Sequence, residues 1–208
     1  MSKRVEIKKA FEYGWETFKE NALFFIVLMT AIGVPMALLG ILTRELPWFS
    51  VSAMFLRGVC WVLRVLAVMV VILVSLSYRD KGSFDYRSLG DLQHFQPIFL
   101  PYLLGTILYS LLVGVGMVLL IAPGVYVLVK YQFTPYVLID RGSQPVEALK
   151  EAGNLANGVW LELFLLMLAI MGINFLGVLV FGIGLIVTIP VTLLAHSWVY
   201  RSFVPSVN

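Results

Sequence analysis

Long runs of apolar residues dominate the chain, and short polar segments separate them. A run of about 20 apolar residues is long enough to cross the hydrocarbon core of a bilayer as a helix. Residues 22–42 and 59–78 each form one such run, whereas residues 98–140 and 159–200 each form a run of roughly double that length. The runs do not alternate with polar residues, as barrel strands would. The pattern therefore predicts an all-α membrane protein.

Turn signals divide the two double-length runs. A Pro-Gly pair at residues 123–124 interrupts the first, and a Phe-Gly-Ile-Gly sequence at residues 181–184 interrupts the second. The sequence thus predicts six spans in three hairpins, within a single integral membrane domain over residues 1–208. The predicted spans are residues 22–42, 59–78, 98–121, 123–140, 159–181 and 182–200.

An amphipathic segment precedes each hairpin, and the first of these covers about residues 3–20. The apolar positions, which recur at helical spacing, are Ile7, Phe11, Trp15 and Phe18 in the first segment; Leu89, Leu92 and Phe95 before the third span; and Val146, Leu149, Gly153 and Trp160 before the fifth. Such helices can lie at a membrane surface. We therefore predict a weak threefold repeat of surface helix, span and returning span; the alternative is that any hairpins with basic flanks look alike.

Composition and charge support a membrane location. Hydrophobic residues make up 60% of the chain and charged residues 13%, whereas about a quarter of a soluble domain is charged. Basic residues cluster on the side that carries both termini, which predicts an inner-membrane protein with cytoplasmic termini. That side holds Lys3, Arg4, Lys8, Lys9, Lys19, Arg79, Lys81, Arg87, Arg141, Lys150 and Arg201, and the other side holds Arg44 and Arg57. This distribution accounts for the net charge of +3 without nucleic acid as a partner.

The sequence offers little for catalysis or cofactor binding. Cys60 is the single cysteine, so neither an internal disulfide nor a cysteine metal cluster is expected. No Ser-His-Asp set, carboxylate pair or HExxH motif stands at one membrane depth. We expect no cofactor, no metal and no catalytic residue, although an enzyme acting on lipid headgroups remains an alternative.

Four ionisable residues fall within predicted spans: Arg64, Lys130, Glu162 and His196. Intramembrane charges are costly and often mark functional sites. Arg64 and Lys130 are each predicted about 8–10 Å from the outer edge, where they could form one anion or headgroup site. They could instead reach individually towards water, or pair with Glu45 or with backbone carbonyls. Glu162 is expected at the solvated interface, and His196 in packed surroundings.

The segments APGVYVLVKYQFTPYVLID (residues 122–140) and PVEALKEAGNLANGVW (residues 145–160) resemble a known family. It comprises small six-span bacterial and archaeal membrane proteins, related to the membrane domain of glycerophosphodiester phosphodiesterases and to YciC-type inner-membrane proteins. The motif residues that match are Pro123, Gly124, Lys130, Tyr131, Pro135, Tyr136 and Asp140. The chain departs from the pattern at Gly153-Asn154, where a Ser-Trp-like pair is expected. The resemblance implies a multi-pass inner-membrane protein and supplies no activity.

We therefore expect a membrane protein that binds or moves a lipid-like or anionic amphiphile, with membrane lipids as partners. A non-transporting scaffold is an alternative; its partner would be another membrane protein or a second copy of the chain. A transporter should contain a cavity at mid-depth reached by Lys130. A scaffold should expose a face of small residues such as Gly105 to Gly116.

Overall fold

The protein is mostly helical in the part of the chain that its computed structural model describes, and no strand occurs there. Described are residues 4–44, 46–47, 50–84, 92–180 and 182–204, with the backbone alone for residues 92–96. The helices are α1 (Ile7–Glu20), α2 (Ala22–Arg44), α3 (Val51–Lys81), α4 (Leu92–Leu119), α5 (Ile121–Lys130), α6 (Thr134–Arg141), α7 (Pro145–Leu155), α8 (Trp160–Leu179) and α9 (Leu185–Phe203).

Three antiparallel hairpins organise the fold: α2 with α3, α4 with α5, and α8 with α9. Gly182, with a φ of 74°, lies in the last turn, as the sequence predicts; Phe181 of the same turn signal is outside the described residues. Among the described residues, four helices have the length and apolar composition needed to cross a membrane. They are Ala22–Arg44, Val51–Lys81, Pro97–Leu119 and Trp160–Leu179.

The helix α3 begins eight residues before the predicted span, at Val51. Ser50 caps it, because its hydroxyl accepts a hydrogen bond from the amide of Ala53 at 3.1 Å. Arg57 therefore lies within the helix rather than in the preceding turn. Its guanidinium donates hydrogen bonds to the carbonyls of Thr43 and Leu46.

The boundary between the third and fourth predicted spans is earlier than the Pro-Gly pair suggests. The chain is extended at Leu120, with φ −163° and ψ 145°, and α5 starts at the next residue. Pro123 therefore lies in the first turn of α5, where a missing N–H costs no helical hydrogen bond. Gly124 packs against Gly116 of α4: a Cβ on Gly116 would lie 2.9 Å from the Gly124 Cα.

The fourth predicted span, residues 123–140, is not one helix, which corrects the prediction of an unbroken span. It is divided into α5 and α6 by a turn at residues 131–133. Pro135 causes the break, because it cannot donate to the carbonyl of Tyr131 four residues earlier. Thr134 satisfies that carbonyl instead, with its amide at 3.0 Å and its hydroxyl at 2.7 Å.

The first amphipathic segment forms α1, and Ile7, Phe11 and Phe18 of the predicted stripe pack inwards. Ala10, Gly14 and Phe18 are buried, whereas Trp15 is 47% exposed. The stripe packs on α9 so closely that a Cβ on Gly14 would lie 2.4 Å from the Val191 carbonyl oxygen. The apolar face therefore serves mainly to pack against another helix.

The other two lead-ins also differ from expectation. Pro145 begins α7 as predicted, but Val146 is 54% exposed. The buried face of α7 consists of Ala148, Leu149, Ala152, Gly153 and Leu155. Before the third span the described chain forms no separate helix, since α4 runs without interruption from Leu92. Leu89 and the side chains of Leu92 and Phe95 lie outside the described residues, as do Lys3, Glu45 and Arg87.

The packed core lies towards one end of the bundle. In α3, the buried residues from Val65 onwards extend to Tyr78, near the helix C-terminus. At the other end, near the hairpin turns, large apolar side chains are open: Val51 is 84% exposed and Val118 is 88% exposed. Apolar surface of this kind is expected where lipid replaces water around the protein.

Candidate functional site

The two predicted cation-site residues have separate surroundings. Arg64 is exposed on α3, and its guanidinium is 3.8 Å from the position that a Cβ on Gly40 of α2 would take. Lys130 ends α5; its Nζ lies 3.4 Å from the Tyr126 hydroxyl and 5.4 Å from the centroid of that ring. The structure therefore gives these residues no common contact among the described side chains.

Lys130 lies beside α7 rather than in an open site. Its Nζ is also 5.9 Å from the Tyr131 ring centroid, and its Cε is 3.6 Å from where a Cβ on Gly153 would be. The same Cβ would lie 2.9 Å from the Tyr131 ring. A residue larger than glycine is hard to fit there, which gives a physical reason for the glycine at position 153.

Glu162 is partly buried and engaged, rather than freely solvated as predicted. Its Oε2 accepts a hydrogen bond from the backbone amide of Val5, so it ties the chain just before α1 to the first turn of α8. A carboxylate in the first turn also interacts favourably with the helix dipole. Glu162 therefore has a structural role in this arrangement.

The remaining residues that carry the predicted resemblance are structural in their contacts. Pro123 and Gly124 open α5, and Pro135 separates α5 from α6. Tyr136 is 2% exposed within the core. Asp140, at the end of α6, belongs to an ion-pair cluster that sequence reasoning did not recognise.

Arg201 of α9 holds together the C-terminal ends of three helices. Its Nε and Nη2 donate to Asp80 of α3 at 2.8 and 2.7 Å, and its Nη1 and Nη2 donate to Asp140 at 2.7 and 2.6 Å. Tyr200 donates a further hydrogen bond to Asp140 at 2.9 Å. Both carboxylates thus bind the guanidinium in bidentate fashion. This geometry favours arginine over lysine.

Both carboxylates belong to similar tetrapeptides at helix ends. Asp80-Lys81-Gly82-Ser83 ends α3, and Asp140-Arg141-Gly142-Ser143 ends α6. Both glycines terminate their helices in the left-handed region, with φ values of 69° and 57°. This repeat is the sequence signal that could have revealed the cluster.

A cleft with polar residues lies between the second and third hairpins. Its volume is about 380 Å³. The lining residues are Tyr109 of α4; Leu128 of α5; Gln132 of the break; Met167, Ile170 and Asn174 of α8; and Ile189, Thr192, Leu193 and His196 of α9. Lys130, the cation that the sequence analysis expected in such a cavity, is not among these described lining residues.

His196 and Gln132 form one polar pair in the cleft, with Nε2 and Oε1 3.0 Å apart. Gln132 Nε2 donates to the Val129 carbonyl at 3.0 Å, which fixes the orientation of the amide. Its Oε1 can only accept, so His196 Nε2 donates in this contact. Phe133 stacks on the imidazole at 4.8 Å between centroids, so His196 is packed, as predicted.

Asn174 and Thr192 form the second pair. The Thr192 hydroxyl donates to the Ile189 carbonyl at 2.9 Å, and its oxygen accepts from Asn174 Nδ2 at 3.2 Å. This leaves Asn174 Oδ1 buried without a hydrogen-bond partner. A buried polar atom normally has a partner, and leaving one unpaired costs free energy.

The cleft presents neutral hydrogen-bonding groups on an apolar background. No Asp, Glu, Lys or Arg is found among its described lining residues, and the described residues contain no group of three or more metal-ligating side chains. The described lining can therefore form hydrogen bonds but no ion pair. Thr188, Thr192 and His196 recur every four residues along α9, a polar stripe that could have been recognised in the sequence.

Comparison of the chain with protein-family models, with curated protein sequences and with solved structures finds no match.

Proposed function

We propose that this protein is a six-span inner-membrane protein that binds or moves a lipid-like amphiphile, and that the amphiphile occupies the cleft between the second and third hairpins. The observation that carries the proposal is the unpaired, buried Asn174 Oδ1 in a cleft that combines neutral polar and apolar lining residues. A ligand with a polar group and an aliphatic part would complement both features.

Helix ends and charges support the six-span arrangement. The four long apolar helices supply four spans, while α9 and the broken pair of α5 and α6 supply the returning legs of the third and second hairpins. Asp80, Asp140 and Arg201 bring the ends of the three returning legs together. The excess of basic residues near these ends supports a cytoplasmic location for them and for both termini.

The scaffold alternative receives less support. Of the glycines predicted on an exposed small-residue face, Gly105 and Gly116 pack within the chain, whereas Gly114 is exposed and has no atom within 4 Å of an added Cβ. A Cβ on Gly105 would lie 2.4 Å from Leu138 Cδ1, and one on Gly116 would meet Gly124. Close approach of helices at these positions is therefore internal to the chain.

The lipid-enzyme alternative is also less well supported by the geometry. His196 pairs with the amide of Gln132, and Glu162 pairs with a backbone amide. Neither contact activates a nucleophile, which would require a base next to a Ser, Thr or Cys side chain. The described residues around His196 thus favour ligand binding over proton transfer.

A cleft-filling variant tests the proposal. Ile170→Trp adds bulk to a residue that lines the cleft, whereas Leu168→Trp adds the same bulk at a 46% exposed position of the same helix. We expect purified parent and Leu168→Trp proteins to retain equal amounts of lipid in native mass spectra, and Ile170→Trp to retain less. Equal retention by all three would contradict binding in the cleft.

A further inference from the structure

The cleft's hydrogen-bonding inventory specifies the kind of head group that it can accept. Asn174 Oδ1 is an unused acceptor. Asn174 and Gln132 each use one amide hydrogen on a neighbouring group and retain a second. The cleft therefore needs a hydrogen-bond donor from the ligand and can also donate to it. A hydroxyl group meets both conditions, because it donates and accepts.

Charged head groups fit this inventory poorly. A phosphate or carboxylate would lack a cationic partner among the described lining residues, and an ammonium would lack an acid. Bringing an unpaired charge into apolar surroundings is far more costly than burying a hydrogen-bonded hydroxyl. Arg64 and Lys130 do not offset that cost, because their described contacts lie elsewhere.

An apolar groove adjoins the cleft and suits an aliphatic chain. Ile189 and Leu193 of α9 line both the cleft and this second groove. The groove has a volume of about 540 Å³, and its described walls, from α2, α3, α9 and the turn before α9, carry no polar side chain. Apolar contacts can therefore continue from the cleft past α9.

Resting on the proposed function, we infer that the cleft selects an uncharged amphiphile that carries a hydroxyl group. The hydroxyl donates to Asn174 Oδ1, and the aliphatic chain lies against Ile189 and Leu193. The ligand class comprises single-chain glycerides and long-chain alcohols, in preference to the anionic lipids that the basic residues suggest.

Matched probes test the head-group preference on the full-length protein in detergent. 1-Oleoylglycerol has hydroxyl groups, methyl oleate has the same chain without a hydroxyl, and oleoyl lysophosphatidic acid has the same chain with a phosphate. In native mass spectrometry we expect 1-oleoylglycerol to bind most tightly. Tighter binding of the lysophosphatidic acid, reduced by Lys130→Met or Arg64→Met, would overturn the inference in favour of an anion site.

The variant Asn174→Leu tests the assigned acceptor. Loss of one hydrogen bond should weaken 1-oleoylglycerol binding by about three- to tenfold and leave methyl oleate binding unchanged. If this variant does not fold, the comparison of 1-oleoylglycerol with methyl oleate on the parent still decides, since equal affinities would exclude a hydroxyl-specific site.

The Ile170→Trp variant separates the two proposals. If it weakens all three probes while Asn174→Leu weakens none selectively, the cleft binds amphiphiles and only the hydroxyl preference is wrong. If it weakens none, binding in the cleft and the inference fail together.

Discussion

Arg201 and Asp140 share two short hydrogen bonds between side chains that are 6% and 8% exposed. Removing the guanidinium would leave two carboxylates facing each other with little solvent. We therefore expect Arg201→Met to lower the free energy of unfolding by about 3–5 kcal/mol. Arg201→Lys should recover only part of this loss, because an ammonium cannot bind two carboxylates in bidentate fashion.

Thermal unfolding in detergent measures this effect, with Lys8→Met as the control because the Lys8 side chain is 90% exposed. Asp80→Asn should cost less than Asp140→Asn, since Asp80 is 22% exposed and lacks the Tyr200 contact. A neutral Arg201→Met would show that the cluster contributes nothing to stability.

Gly14 allows α1 to lie directly against α9. We expect Gly14→Ala to destabilise the protein by about 1–3 kcal/mol, because the added methyl group meets the backbone of Val191. Gly58→Ala in α3 is the matched control: no atom lies within 4 Å of its added Cβ, and it should stabilise by about 0.5–1 kcal/mol. Equal shifts of the unfolding midpoint in the two variants would contradict the packing of α1 on α9.

Substitutions at Trp15 and Phe18 test whether α1 packs against the bundle or binds the membrane surface. Phe18 is 5% exposed, so Phe18→Ala should cost about 3–5 kcal/mol. Trp15 is 47% exposed, and Trp15→Ala should cost clearly less. Similar losses of unfolding free energy would favour the stripe predicted from the sequence, in which both residues face the membrane surface.

Lys130 and Arg64 should behave as independent residues. Lys130 is held over two tyrosine rings, so Lys130→Met should change stability by about 1 kcal/mol or less. The change in Lys130→Met/Arg64→Met should equal the sum of the single changes to within about 0.5 kcal/mol. A clear departure from additivity in thermal unfolding would restore the idea of one shared cavity.

Single cysteines test the proposed topology. In a Cys60→Ala background, an impermeant thiol reagent added to intact cells should label Ser52→Cys, near the first hairpin turn. It should label Ser83→Cys and Ser143→Cys only after lysis. Labelling of Ser83→Cys from outside would contradict the six-span orientation.

Much of the helical outline follows from hydropathy, because a run of apolar residues that meets lipid must satisfy its backbone within a helix. Packing directions were less predictable. The stripe of α1 depends on Gly14 and Ala10, small residues that a search for large apolar side chains passes over. The break at residues 131–133 arises because Pro135 has no N–H to donate to the Tyr131 carbonyl. Hydropathy does not register this effect.

The candidate site was hidden for a related reason. Charge within the predicted spans points to Arg64 and Lys130. The cleft is instead lined by Gln132, Asn174 and Thr192, which are uncharged. The stripe of α9 is visible in the sequence, but Gln132 and Asn174 lie in other segments, and only the folded arrangement brings them to it. His196 was recognised in the sequence, but its partner Gln132 is 64 residues away.

The endings of α3 and α6 are alike, whereas that of α9 is their electrostatic complement. A chain assembled from three identical hairpins would bring together three carboxylates, or three cations, at this junction, and either set would repel itself. If the hairpins arose by tandem duplication, their symmetry had to be broken at position 201 before the bundle could close. Exchanging the third hairpin for a copy of the first or second should therefore replace attraction with repulsion at this junction and destabilise the bundle.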